Sequence, residues 1–376
     1  MRPLKVLHCI AGLNYSDGGP ARSVPALAEA MAEHGAEVTV FCHRPPTIDL
    51  TPFPNTRFIS GDISAASAGG KPDIIHDHGL WLPSNHKVAG FSRRHRIPRI
   101  VSPRGMLEPW CLKHKRLRKQ LAWRLYQHHD LLSADCLHAT SAAESAQFRS
   151  LGFRQPIISI PNGVTLPDED ASDDLTEHAD SKEILFLSRI HPVKGLMNLL
   201  DAWKLSAAPG WKLRIVGSDE DGHRRELDER IRALQAENEI RTDDAVHSDQ
   251  KWTLLKNAAV VVLPSFSENF GIIVAEALGV GTPVITTTGT PWSEIESRQC
   301  GWYTKPTVPD LADALKSAMA VTPAERNLMG RRGRQWIRES FTRQKTGRQM
   351  LDCCEWLLGR TAGGNTEIPV RPAEAA

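Results

Sequence analysis

The stretch SFSENFGIIVAEALGVGTPVI, residues 265–285, is apolar over most of its length yet holds two carboxylates, Glu268 and Glu276. It follows VVVLP and runs into PVITTT, so it reads as strand, helix and strand in succession, the repeating unit of a parallel α/β sheet. With the strand ending at Ser265 and a helix starting near Asn269, Gly271 falls in the first turn and Glu268 stands at the helix mouth. Glu276 then comes about two turns inside, rotated by only about 80° around the axis, so both carboxylates can reach one cleft at different depths. Amides at the helix start favour an anionic group, and a nearby carboxylate accepts hydrogen bonds from sugar or ribose hydroxyls. On these residues alone, a capping role for Glu268 and an ion pair for Glu276 stay open as the alternative.

The same alternation extends in both directions. LKVLHCI (4–10) and EVTVFCH (37–43) read as strands around a helix over 21–34, which has Val24, Leu27, Ala28 and Met31 on one face and stops at Gly35. PDIIHDHG, PRIVSPRG and DCLHAT add further strands, the last leading into Ser141 and Glu144, an S-x-x-E capping box. PIISIPNGV (156–164) closes this half, and the acidic TLPDEDASDDLTEHADSK reads as a linker. The pattern restarts with EILFLSRI (183–190), KLRIVG (212–217), AAVVVLPS (258–265) and PVITTT (283–288). Thr322-Pro323-Ala324-Glu325 is a strong helix start, and a last helix is expected over about 342–359. The expected organisation is an α/β chain of two Rossmann-like, doubly wound domains facing a central cleft. Residues 1–164 form the first and 165–181 the linker. Residues 182–341 form the second, 342–360 a helix returning to the first domain, and 361–376 a disordered tail.

Bulk properties remove several classes. The 376 residues suffice for two cores, and 24% charged residues at net +2 are ordinary for a water-soluble globular chain rather than a nucleic-acid binder. Seven scattered cysteines without a CxxC pair point to reduced thiols in a cytosolic setting, not a disulfide frame or zinc site. No apolar run reaches membrane-spanning length, and MRPLKVLHCIAGLNY reads as a first buried strand rather than a signal peptide.

FLSRIHPVKG (186–195) carries a buried strand straight into Arg189, with Lys194 in the loop opening the next helix. Two cations at a strand's carboxyl end beside a helix N-terminus suit a diphosphate, with solvated surface charge as the plainer reading.

Taken together, these motifs resemble glycosyltransferase family 4, the group 1 retaining glycosyltransferases of GT-B fold. The resemblance rests on GLNYSDGGPARS, IPNGV, LSRIHPVKG and the E-x7-E of SENFGIIVAEAL, in the family's order over residues from about 4 to 345. It implies that Arg189 and Lys194 hold the nucleotide diphosphate and stabilise the departing phosphate. Glu268 would contact the donor sugar beside its anomeric carbon, orienting it, and Glu276 the ribose hydroxyls. Backbone amides near Asn269, Phe270 and Gly271 would touch sugar or phosphate, and Gly18 and Gly19 would bring the first loop against donor and acceptor. It also implies retention of configuration, a nucleotide-diphosphate sugar as donor, a glycan or polyprenyl-linked acceptor, and no metal or other cofactor. The expected setting is bacterial cell-surface polysaccharide assembly at the cytoplasmic face. Many family members carry a sugar-contacting His where this chain has Arg104, leaving His76 and His78 of DIIHDHGLW as candidates to replace it.

RGMLEPWCLKHKRLRKQLAWRLY (104–126) is the most individual stretch. Leu117, Leu121 and Leu125 recur every fourth residue among Lys113, Lys115, Arg116, Arg118, Lys119 and Arg124. Residues 113–126 therefore offer either peripheral contact with an anionic membrane or a packed helix with a solvated basic face. Trp81 and Trp110 suit stacking on an acceptor sugar or ordinary packing. A sugar-nucleotide epimerase of the same fold and a degenerate nucleotide-sugar-binding subunit are the competing functions. A dinucleotide dehydrogenase is disfavoured because the first loop lacks G-x-G-x-x-G.

Overall fold

In the computed structural model, which describes residues 2–14, 17–67, 70–113, 115–167, 181–206, 208–219, 222–246 and 248–359, the strands assemble into two parallel sheets. The first contains β1 (Lys5–Ile10), β2 (Glu37–Cys42), β3 (Thr56–Ser60), β4 (Ile74–His78), β5 (Arg99–Ser102), β6 (Cys136–Ala139) and β7 (Ile157–Ser159). Their spatial order is β3-β2-β1-β4-β5-β6-β7. Helices α1 (Pro20–Glu33), α2 (Pro83–His95), α3 (Pro109–Lys113), α4 (Arg116–Ala122), α5 (His128–Leu132) and α6 (Ala142–Ser150) connect them.

The second sheet has β8 (Glu183–Leu187), β9 (Lys212–Val216), β10 (Ile240–Asp243), β11 (Val260–Leu263), β12 (Val284–Thr287) and β13 (Gly301–Thr304), in the order β10-β9-β8-β11-β12-β13. Its helices are α7 (Leu196–Ser206), α8 (His223–Ala233), α9 (Ser248–Asn257), α10 (Ile272–Gly279), α11 (Val308–Ala320) and α12 (Pro323–Ser340). The last helix, α13 (Arg343–Leu357), belongs with the first sheet. The chain divides into one unit of residues 1–163 plus everything from Phe341 onward, and a second unit of residues 164–340.

Both strand orders reverse once, between β1 and β4 and between β8 and β11. At such a switch the flanking loops diverge to opposite faces and leave a crevice beyond the carboxyl ends of the strands. Fully buried strands such as β11, VVVL, need no polar alternation because helices cover both faces. In the first unit, Val6, Ile74 and Ile100 pack beneath Val24, Leu27 and Met31 of α1 and Met350 and Leu351 of α13. The two helices approach so closely that a Cβ on Gly347 would lie 2.6 Å from Ala30 Cβ. Leu7, Cys9, Phe41 and Ile75 fill the opposite face with Val88 and Phe91 of α2.

Several local expectations change. Helix α10 begins at Ile272, with Gly271 as its left-handed N-cap, so Glu276 sits one turn inside rather than two. Strands β3, β10 and β13 complete the sheets although their short, mixed sequences gave no clear period. Stretch 104–126 is not one helix: Lys115 is left-handed, and Trp123–Gln127 forms a π-helical turn joining α4 to α5. Ser141 does cap α6, but the Glu144 carboxylate accepts from the Gly105 and Thr140 amides at 2.6 and 2.7 Å instead of returning to Ser141. Of the expected linker, residues 168–180 lie outside the described residues, as does the expected tail 361–376. All seven cysteines carry thiols rather than disulfides; six are buried and Cys111 is half-buried. No helix among the described residues is long and apolar enough to cross a membrane.

Candidate active site

The second unit gathers its polar chemistry at the β8/β11 switch. After β8 the chain passes Arg189, pairs Ile190 with Asp219 of the neighbouring loop, and turns through Pro192–Lys194 into α7. Gly195 makes this turn at φ +69°, and a Cβ there would collide with the Pro264 carbonyl. The loops after β8 and β11 are thus in direct backbone contact, and the Phe266 amide donates to Val193 O at 2.8 Å.

That contact brings Lys194 and Glu268 into a salt bridge, with Ser265 Oγ 3.4 Å from the same Glu268 oxygen. The Glu268 amide donates to Gly289 O at 2.7 Å, and Trp292 Nε1 donates to Phe270 O at 2.5 Å. Loop 265–271 is therefore fixed on both sides before α10 starts. A Cβ on Gly271 would stand 3.1 Å from Glu268 Cγ, so glycine there serves both the left-handed turn and the carboxylate beside it. One turn into α10, Glu276 pairs with Lys251 of α9 at 2.7 Å, and Lys251 also lies over the Trp252 ring at 4.1 Å. Glu268 and Glu276 each face a lysine, but two different ones. Asn269 is half-buried, while the Phe270 side chain packs on Trp292.

The first unit has a different cluster at its β1/β4 switch. His8 ends up opposite His76 in register, and His78 follows two residues later on the same face. Alternation along the strands places these rings, with His138 of β6, on the side that carries Val6 and Ile74. All four are buried. Arg104, left-handed at φ +57° after β5, donates to His78 Nδ1 at 3.2 Å and to Asn162 Oδ1 at 2.6 Å.

These contacts assign the tautomers. Arg104 can only donate, so His78 carries its proton on Nε2 and gives it to His8 Nδ1 at 3.0 Å, leaving the His8 proton on Nε2. Ile160 O can only accept, so His138 is protonated on Nε2 and its Nδ1 receives His76 Nε2–H at 3.2 Å. His8 Nε2 and His76 Nδ1 have no partner among the described residues, one a donor and the other an acceptor, the complement of a hydroxyl group.

Burial and the Arg104 charge push His8 and His138 down to about 3, and burial with neighbouring charges takes His76 and His78 well below the usual range. Burial also lowers Arg104 to about 10, with Glu144 opposing. His8, His76 and His78 hold ligand atoms within 4.8 Å of one another. The donor set fits a divalent cation poorly, because both His78 nitrogens are engaged and a guanidinium adjoins them.

Of the residues singled out from sequence, the structure joins Lys194 to Glu268 and His78 to Arg104. It places Gly18 (φ +75°) and Gly19 at the start of α1 and Trp110 on α3. Gly12, also in the first loop, is crowded by Asp17 and Arg44, whose salt bridge at 2.6 Å ties that loop to the segment after β2. His8 and His138 were not anticipated: each is a single polar residue in an apolar strand, and only the register reveals their company.

Residues 18–163 match the Glycosyl transferase 4-like domain, and residues 168–336 match the Glycosyl transferases group 1 family. A D-inositol 3-phosphate glycosyltransferase of Nocardiopsis dassonvillei is 28% identical over 319 residues, covering 71% of this chain and 73% of the relative. Among solved structures, sucrose-phosphate synthase of Thermosynechococcus elongatus matches 96% of this chain and 100% of its own, with TM-score 0.78 and 22% identity. HepE of Anabaena in complex with UDP-glucose matches 93% of this chain and 98% of its own, with TM-score 0.74 and 18% identity.

Proposed function

The chain belongs to the group 1 glycosyltransferases and is an enzyme with a sugar-nucleotide donor, and on that footing we propose that it is a retaining transferase acting on a glycan or polyprenyl-linked acceptor. The setting of this reading is bacterial cell-surface polysaccharide assembly at the cytoplasmic face of the membrane, without a metal. The observation that carries it is the Lys194–Glu268 salt bridge at the sheet's switch point, beside the start of α10.

In this reading the donor diphosphate displaces Glu268 as the partner of Lys194, with Arg189 as second cation. The released Glu268 carboxylate accepts from hydroxyls of the donor sugar and orients it. Glu276, steadied by Lys251, accepts from the ribose. The bond from anomeric carbon to phosphate oxygen breaks as the acceptor hydroxyl oxygen bonds that carbon, and the departing diphosphate takes the hydroxyl proton. Fixed cations and helix amides meet the charge growing on the diphosphate, which is where stabilisation lowers the barrier.

Arg104 supports a second acceptor class. A buried guanidinium suits a phosphate, and the relative named for D-inositol 3-phosphate suggests a soluble sugar or cyclitol phosphate instead of a lipid-linked one.

The test is nucleotide release with UDP- and GDP-sugars, with and without acceptors of both classes. Acceptor-dependent release supports transfer and identifies the class. Interconversion of the donor sugar without release would point to the epimerase, and donor binding without either reaction to a degenerate subunit.

A further inference from the structure

Residues 116–132 run as α4, the π turn and α5, and they are anchored along one side only. Gln127 is buried and accepts from the Trp81 amide at 2.7 Å, while Tyr126 Oη donates to Trp81 O at 2.7 Å. Trp81 is held in a left-handed conformation at φ +75°, with its ring against Trp123 and under Lys119. Asp130 is bound by His86 and Arg93 of α2 at 2.7 and 2.8 Å, and Leu131 lies in the core. The inner side of this run is therefore satisfied.

The outer side is apolar as well. Leu117, Leu121 and Leu125 are 81%, 60% and 70% exposed. A packed surface helix needs one apolar stripe, and this one has a second that nothing in the unit covers. Lys113, Lys115, Arg116, Arg118 and Arg124 around it are exposed, and no acidic residue occurs from Pro109 to His129 although the whole chain is only +2.

We propose that this leucine row with its flanking cations docks the enzyme on an anionic lipid bilayer. Leucines enter the headgroup boundary while the cations meet lipid phosphates, the division of labour of an interfacial helix. A second copy of this chain would oppose cations to cations across a symmetric contact. A nucleic acid would leave the leucines without an apolar partner. The proposal goes beyond the transferase reading and does not depend on donor or acceptor. Because Tyr126 and Gln127 grip Trp81, docking would also hold the turn that follows His78 at the end of β4.

The experiment is flotation of the full chain with vesicles of phosphatidylglycerol and phosphatidylcholine in equal parts, and with phosphatidylcholine alone. Native protein is expected on the anionic vesicles, with partition falling several-fold as NaCl rises from about 0.1 to about 0.5 M. The triple substitution Leu117→Ser, Leu121→Ser, Leu125→Ser should weaken partition by about tenfold or more. Its urea midpoint should stay unchanged, because these side chains already face water. Lys113→Glu with Arg124→Glu should weaken partition to anionic vesicles only. Three results would overturn the proposal: no native partition, equal partition by the triple variant, or a lipid-free dimer that the triple variant abolishes.

Discussion

Lys194 and Glu268, 74 residues apart in sequence, neutralise one another across the loops that follow β8 and β11, with side chains only 8% and 18% exposed. The cation is thus already positioned and only needs a better anion. Removing the carboxylate should free it for a phosphate: Glu268→Gln is expected to bind the nucleoside diphosphate about fivefold more tightly, worth about 1 kcal/mol. Transfer should meanwhile slow by about 10²–10³-fold as the sugar loses its orienting group. Calorimetric titration with UDP and GDP alongside single-turnover transfer checks both. Weaker diphosphate binding in the variant would mean that Lys194 does not meet phosphate.

Glu276 and Lys251 should behave differently, since their proposed contact is with the ribose, away from the breaking bond. Glu276→Gln is expected to raise KM for the donor by about tenfold, with kcat within about threefold of native. Steady-state kinetics with the cognate donor decides, and a kcat loss as large as that of Glu268→Gln would place Glu276 among the groups acting in the transition state.

Two glycines with almost the same backbone angle should give very different losses. Gly195 and Gly222 stand at φ +69° and +78°, but a Cβ meets the Pro264 carbonyl at the first and open space at the second. Gly195→Ala should cost about 3 kcal/mol, from backbone strain together with displacement of the loop that sets Lys194. Gly222→Ala should cost about 1 kcal/mol, from strain alone. Equal losses in urea unfolding would show that the close approach to Pro264 yields without resistance.

Acid should destabilise the first unit through its neutral histidines. His8, His76, His78 and His138 titrate below their unfolded value, so their contribution is whole above about pH 6.5 and is lost as pH falls from there towards 3. Each gives up between about 1 and about 2 kcal/mol between pH 7.5 and 5.5. Asp77, pushed up to about 7 by burial against the opposing charge of Arg99, has the opposite sign and offsets about one of them. Unfolding free energy should therefore fall by roughly 4 kcal/mol over that range, and by less in His76→Phe. Urea titrations at the two pH values read the difference, and a flat profile would contradict neutral, buried rings.

The β8 and β11 loops and the Glu268–Glu276 spacing were legible in sequence because each follows an apolar run that can only be a buried strand. Their lysine partners were less so. Lys194 was expected from sequence as a phosphate-binding cation, yet its bridge to Glu268 depends on a turn at Gly195 that brings two distant loops together. Glu144 shows the limit of local pattern reading: S-x-x-E predicted a cap, and the carboxylate instead serves amides at Gly105 and Thr140. The histidine cluster was hidden for a related reason. Its four members come from three strands, and only parallel register at a switch point sets His8 beside His76. The exposed leucines were visible as a stripe, but which way the stripe faced depended on where Gln127 and Asp130 found partners.

The distribution of thiols has a practical side. Burial pushes Cys42 and Cys300 up to about 12 and drives Cys9 and Cys354 upward too, while the bond to Cys136 together with burial raises Cys353, leaving little thiolate for any alkylating reagent. Cys136 is sealed in β6. Cys111 alone is half-exposed, on α3 immediately before the basic run. The native chain therefore offers a single address for a maleimide fluorophore, next to the leucine face, and a spectroscopic reporter can be attached there with no residue engineered.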